Sequence, residues 1–85
     1  MHFVYILRSE NNRYYIGASD NVSKRLNYHN SGRVKSTKPY MPWSLIYTEK
    51  YNTLSEARKR ESQIKNWRSR LAVERLINTA LSSIG

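Results

Sequence analysis

The run Phe3-Val4-Tyr5-Ile6-Leu7 most constrains what this chain can become. A strand with one face in water alternates apolar and polar residues. A continuous apolar run of this length, rich in β-branched and aromatic types, reads instead as a strand buried on both faces. His2 to Arg8 is therefore expected at the centre of a sheet. Ser9-Glu10-Asn11-Asn12 has turn chemistry, and Arg13 to Gly17 reads as a second strand, so that the two form a hairpin.

The remaining elements follow from caps and periodicity. Asp20 or Asn21 can cap a short helix in which Val22 and Leu26 share one face. Gly32, after Asn30-Ser31, suits the left-handed position past its end. Arg33 to Pro42 is a basic loop punctuated by Pro39 and Pro42. Trp43 to Tyr51 reads as a third, partly exposed strand, with Trp43, Leu45 and Tyr47 on one side. Thr53 and Glu56 match a capping box. The helix after them carries Leu54, Ala57, Ile64 and Leu71 on one stripe. A last helix begins near Ser69, with Val73, Leu76, Ile77, Ala80, Leu81 and Ile84 at helical spacing. The expected fold is α+β: a three-stranded antiparallel sheet flanked by helices, in the order β-β-α-β-α-α. Three strands alone bury too little, so helices must cover at least one face. The 85 residues have room for a single domain, expected to span 1–85.

Charge narrows the function. Fifteen Lys and Arg stand against six Asp and Glu, a formal net charge of +9, with a pI near 10.2. Such a field attracts polyanions, of which nucleic acid is the commonest, although solubility alone also produces basic proteins. One basic cluster holds Lys24, Arg25, Arg33, Lys35 and Lys38; the other runs from Arg58 to Arg75. The absence of cysteine excludes disulfides, thiolate zinc sites and a cysteine nucleophile. It fits a reducing compartment. No run reaches membrane-spanning length, so the expectation is a soluble, cytoplasmic protein.

Few residues are equipped for chemistry. With three glycines and two histidines, there is no phosphate-cradling Gly-rich loop and no His-x-x-x-His. Glu61 is unusual because it falls within the apolar stripe, about half a right angle from Ala57 at the helical period. A carboxylate there needs a partner. That partner is either a cation, with Arg58, Lys65 and Arg25 as candidates, or a metal ion such as Mg²⁺, which keeps waters and takes one or two carboxylates. Arg25 and His29 are four apart and project side by side. They are either a solvated basic pair or a phosphate contact in which Arg stabilises charge and His moves a proton. Tyr5 and Tyr15 lie on adjacent hairpin strands, as core residues or as site residues.

These positions also carry a resemblance. Phe3-Val4-Tyr5, followed ten residues on by Tyr15-Ile16-Gly17, is similar to the two-part signature of the GIY-YIG endonucleases. Arg25 and His29 fall where that family places a helix Arg and a His or Tyr, and Glu61 falls where it places its metal-binding Glu. The resemblance extends from about Phe3 to Ile77 and is nearest to the small stand-alone bacterial members, which share Val-Tyr-Ile-Leu in the first strand. The first motif departs from Gly-Ile-Tyr, Ala18 stands where some relatives have Lys, and only Asn66 and Asn78 offer an Asn beyond the Glu.

The resemblance implies a nucleic-acid endonuclease that hydrolyses phosphodiester bonds with one Mg²⁺ or Mn²⁺ held by Glu61. It implies Tyr5, Tyr15, Arg25, His29 and Glu61 as catalytic residues. Arg25 would stabilise phosphoryl charge, Tyr15 would orient water or phosphate, and Tyr5 or His29 would take the proton of the attacking water. An unperturbed phenol has a pKa near 10, so Tyr5 would need a nearby cation to lower it. Lys24, Arg33, Lys35 and Lys38 would hold the nucleic-acid backbone. The expected partner is nucleic acid, DNA in preference to RNA, in DNA repair or recombination, with a partner protein to supply substrate choice. The alternative is a non-catalytic nucleic-acid-binding module of the same fold. A third reading, a basic protein-interaction domain, is separable by the salt dependence of binding.

Overall fold

The apolar run does form the middle strand of a three-stranded antiparallel sheet, in the order β2-β1-β3. In this computed structural model, which describes residues 1–82, β1 is His2–Ser9, β2 is Tyr14–Ser19 and β3 is Trp43–Tyr51. Helix α1 is Val22–Asn30, α2 is Leu54–Asn66 and α3 is Arg70–Ser82. The fold is α+β with the expected element order. The second strand starts and ends a little later than Arg13 to Gly17, because Arg13 closes the hairpin turn: its carbonyl accepts from Ser9 N at 2.9 Å and its own N–H donates to Ser9 Oγ at 3.1 Å.

Burial on both faces of β1 divides the core in two. Val4 and Ile6 pack with Ala57 and Ile64 of α2 and with Val73 and Ile77 of α3. Tyr5 and Leu7 pack on the other face with Trp43, partly covered by Tyr15, Val22, Leu26 and Tyr40. Helix α1 thus covers one face, and α2 and α3 the other. Burying a large aliphatic side chain is worth about 1.5–3 kcal/mol, so Ile6, Leu7, Ile64 and Val4, all fully enclosed, carry much of the stability.

Three expectations need correction. Trp43, Leu45 and Tyr47 do not share a face. A bulge opposite Ile6 and Leu7 shifts the β1–β3 register, pairing Ile6 with Tyr47 and Leu7 with Leu45. The extra residue, Ile46, reverses the alternation. Trp43 faces the Tyr5–Leu7 core, Leu45 is 41% exposed, and Ile46 and Tyr47 both join the opposite core. Leu71 is not on the α2 stripe either. The chain leaves α2 at Asn66, Arg68 adopts φ +48°, and α3 starts afresh with Ser69 Oγ accepting from Ala72 N at 3.2 Å. Leu71 is consequently 57% exposed. The basic loop, finally, contains a short 3-10 turn over Lys38–Tyr40.

The caps match their sequence signals. Asn21, rather than Asp20, caps α1 by accepting from Lys24 N at 3.0 Å. Gly32 takes φ +80° just past the end of α1, where a side chain would be strained. Thr53 caps α2, accepting from Glu56 N at 3.2 Å. On α3, Val73 and Ile77 are buried; Leu81 and Ile84 of the expected stripe lie outside the described side chains.

Candidate active site

The α1-facing side of the hairpin gathers three rings. Antiparallel register places Tyr5 opposite Gly17 and Tyr15 opposite Leu7, so both tyrosines project toward α1. Their ring centroids are 6.3 Å apart. His29, from the last turn of α1, stands 4.4 Å from Tyr15 and 6.5 Å from Tyr5. Gly17 makes room for this arrangement: a Cβ there would lie 2.5 Å from the Tyr5 hydroxyl. Among the three residues of Tyr15-Ile16-Gly17, the glycine is required by the tyrosine of the other strand.

His29 is not a solvated partner of Arg25. It is 2% exposed, and its Nδ1 lies 3.0 Å from Thr37 Oγ1. Arg25, one turn earlier, stays exposed. Burial first, and the Arg25 charge second, lower the His29 pKa, because both disfavour the imidazolium. The ring is therefore neutral at neutral pH.

Tyr5 corrects a second expectation. Its pKa is pushed up to about 12, chiefly by burial and then by Tyr15, with Glu61 acting in the same direction and Arg25 opposing them. The nearby cation is present, but desolvation outweighs it, and the phenol stays protonated. The two outer charges oppose each other there: Arg25 and Glu61 stand on helices covering opposite faces of the sheet, and the one lowers and the other raises the Tyr5 pKa. Glu61 comes within electrostatic reach because α2 packs over β2 and β1, and β2 is an edge strand.

Glu61 is half-buried on α2, and its Oε2 accepts from Lys65 Nζ at 2.5 Å. The carboxylate thus has the cation partner that an acid on an apolar stripe needs. That pair is an i,i+4 pair with Lys65 50% exposed, a kind typically worth about 0.3–0.5 kcal/mol. A dication can displace it at little cost. Among the described residues no group of three or more His, Asp or Glu comes together. The donor set is one carboxylate, which fits a hard cation that keeps most of its water and does not fit a closed zinc-type site.

The basic residues separate. Lys24 and Arg33 join Arg25, Asp20, Asn27 and the exposed Tyr28 around an open hollow of about 620 Å³ on the α1 side, which none of the three rings lines. Lys35 and Lys38 are exposed on the loop and do not line it. Ala18 packs against the Val4–Ile6 core and offers no phosphate contact. Asn78 lies with Tyr14, Ile46 and Glu74 around a hollow on the α3 side. Asn66, exposed at the end of α2, lines a groove with Arg58 and Lys59.

Three residues that support the rings carry no chemistry-bearing pattern in sequence. Thr37, 2% exposed, holds His29. Trp43 Nε1 donates to the Thr37 carbonyl at 3.0 Å. Asn30 binds the Trp43 backbone twice, donating to its carbonyl at 3.0 Å and accepting from its N–H at 2.6 Å. A Thr in a basic loop and an Asn at a helix end give no periodic signal; only Trp43, an apolar residue at a strand start, was legible as core.

Known proteins share the fold. A UPF0213 protein of Staphylococcus aureus is 43% identical over 67 residues, covering 78% of this chain and 82% of its own. One from Staphylococcus haemolyticus is 40% identical over the same lengths. The solution NMR structure of a UPF0213 protein from Bacillus halodurans superposes with a TM-score of 0.60 at 32% identity, covering 92% of this chain and 83% of that one. The GIY-YIG catalytic domain matches residues 1–75, and the chain belongs to that nuclease superfamily.

Proposed function

We propose that this protein is an endonuclease that hydrolyses phosphodiester bonds of nucleic acid at the Tyr5–Tyr15–His29 cluster, within a single domain spanning 1–85. One observation carries the reading: the rings of Tyr5, Tyr15 and His29 cluster, and the charges of Arg25 and Glu61 both bear on the Tyr5 hydroxyl. Water attacks phosphorus as the bond to the leaving sugar oxygen breaks. His29 receives the water proton, since it is the neutral group of the cluster at neutral pH. Tyr5, protonated, donates a hydrogen bond to a phosphoryl oxygen, and Tyr15 orients the water. Arg25 stabilises the charge that builds on the phosphoryl oxygens.

Glu61 would hold one Mg²⁺ or Mn²⁺, which as a Lewis acid supplies charge stabilisation at the phosphate and the leaving oxygen. Lys24 and Arg33 hold the nucleic-acid backbone in the hollow, with Lys35 and Lys38 reaching it from the loop. DNA is the preferred substrate over RNA, in a repair or recombination setting, with a partner protein supplying substrate choice. Among the described residues no helix is long and apolar enough to cross a membrane, and we place the protein in the cytoplasm with its substrate.

The direct test is incubation with duplex, branched and single-stranded substrates in Mg²⁺, Mn²⁺ or EDTA. Metal-dependent cleavage is expected, with affinity falling steeply between about 50 and 200 mM salt. The Glu61–Lys65 contact favours a second reading, a binding module without catalysis. Salt-dependent binding with no cleavage in any metal would select it.

A further inference from the structure

Resting on the reading above, we propose that Thr37 is a positioning residue that fixes the tautomer of His29, placing the proton on Nδ1 and leaving Nε2 as the proton acceptor. Thr37 lies in the basic loop, in no pattern that marks chemistry, yet it is as buried as His29 at 2% exposure. Its hydroxyl stands 3.0 Å from His29 Nδ1 and 3.4 Å from the Val34 carbonyl. A hydroxyl carries one proton and accepts through two lone pairs. With its proton turned to Val34 O, a carbonyl that also accepts from Thr37 N at 3.1 Å and Lys38 N at 2.9 Å, Oγ1 accepts from Nδ1–H.

Two further features favour this polarity. The ring as a whole feels the Arg25 cation and packs 6.5 Å from the Tyr5 ring, centroid to centroid. A lone pair on Nε2 suits that field better than another N–H. The same hydrogen bonds also serve the imidazolium formed when Nε2 takes a proton, since Nδ1–H keeps its acceptor and nothing has to rotate. The ring nitrogen not used for proton transfer commonly sets the tautomer in this way.

Thr37 is itself held from both sides. Trp43 Nε1 donates to its carbonyl at 3.0 Å. Its N–H donates to the Val34 carbonyl at 3.1 Å. Asn30, adjacent to His29 in α1, clamps the Trp43 backbone. The loop therefore presents its hydroxyl to the ring from a fixed frame that begins and ends at α1.

The test reads the tautomer directly, by long-range ¹H–¹⁵N correlation on ¹⁵N-labelled protein without metal or nucleic acid. The chain has two histidines, His2 and His29, and a His2→Gln variant assigns them. Wild type and Thr37→Ser should show His29 protonated at Nδ1. Thr37→Val, which keeps the shape and removes the hydroxyl, should move the proton to Nε2. On a cleaved substrate, kcat should fall tenfold or more in Thr37→Val with KM kept, and Thr37→Ser should restore it. An Nε2–H tautomer in wild type, or a Thr37→Val protein with unchanged tautomer and kcat, would overturn the proposal. If Thr37→Val does not fold, wild type and Thr37→Ser decide it alone. If wild type cleaves nothing, the endonuclease reading has failed while the tautomer still stands or falls by its spectrum.

Discussion

The Tyr5 hydroxyl lies over Gly17 so closely that a Cβ on Gly17 would stand 2.5 Å from it. The two residues are cross-strand partners in the hairpin, and each carries one half of the two-part signature. The glycine of the second motif is there for the tyrosine of the first.

Gly17→Ala should therefore damage fold and site together. Overpacking of this kind costs about 1–3 kcal/mol, and a domain of this size loses about 4–8 °C of melting temperature per kcal/mol. The double variant Gly17→Ala with Tyr5→Ala should lose less than the sum of the singles, because the clash is gone. Thermal unfolding of the four proteins checks this. Strict additivity would show that the contact does not govern the site.

The lowered His29 pKa makes a signed prediction. The folded state resists protonation of His29, so the unfolded chain binds the proton first as pH falls. The contribution is steady above the unfolded pKa, near 6.5, and stability declines as pH drops below it toward the lower folded value. Arg25→Gln should raise the His29 pKa without restoring its unfolded value, since burial is the larger cause. NMR titration of the ring measures both values. A pKa that does not move in Arg25→Gln would remove Arg25 from the ring's environment.

Much of this was legible in the sequence for identifiable reasons. The unbroken run at Phe3 to Leu7 admitted only a central strand, and caps at Asn21 and Thr53 located two helices. Spacing brought Tyr5, Tyr15 and His29 forward as candidates, and only the resemblance to the two-part signature named them as site residues. What periodicity could not show was the bulge at Ile46, which depends on how β3 meets β1, or the break at Arg68, where one backbone angle ends α2. The burial of His29 was likewise hidden, because Tyr15 packs on it from the hairpin and Thr37 meets it from a loop with no pattern. The Tyr5 pKa could not be signed in advance, since a cation and desolvation oppose each other there and only the packing decides.

Lys65 competes with any cation for Glu61. Because such exposed helix pairs are worth about 0.3–0.5 kcal/mol, Lys65→Met should leave the melting temperature within about 4 °C. The Mg²⁺ concentration for half-maximal cleavage should fall by roughly twofold, the factor that energy represents. A rise in the metal requirement would mean that Lys65 assists the substrate rather than masking the carboxylate.

The most direct measurement is single-turnover cleavage by Glu61→Gln, read beside thermal unfolding and metal-free substrate binding on the same protein. Gln keeps the size and polarity of Glu but not its charge. With Glu61 as the metal ligand, cleavage should fall on the order of a hundredfold or more, since metal stabilisation of transition-state charge is worth several kcal/mol. Melting temperature should hold, and metal-free binding should persist or tighten as one repulsion against phosphate is lost. A Glu61→Gln protein that cleaves at the wild-type rate would contradict the assignment of the metal to Glu61.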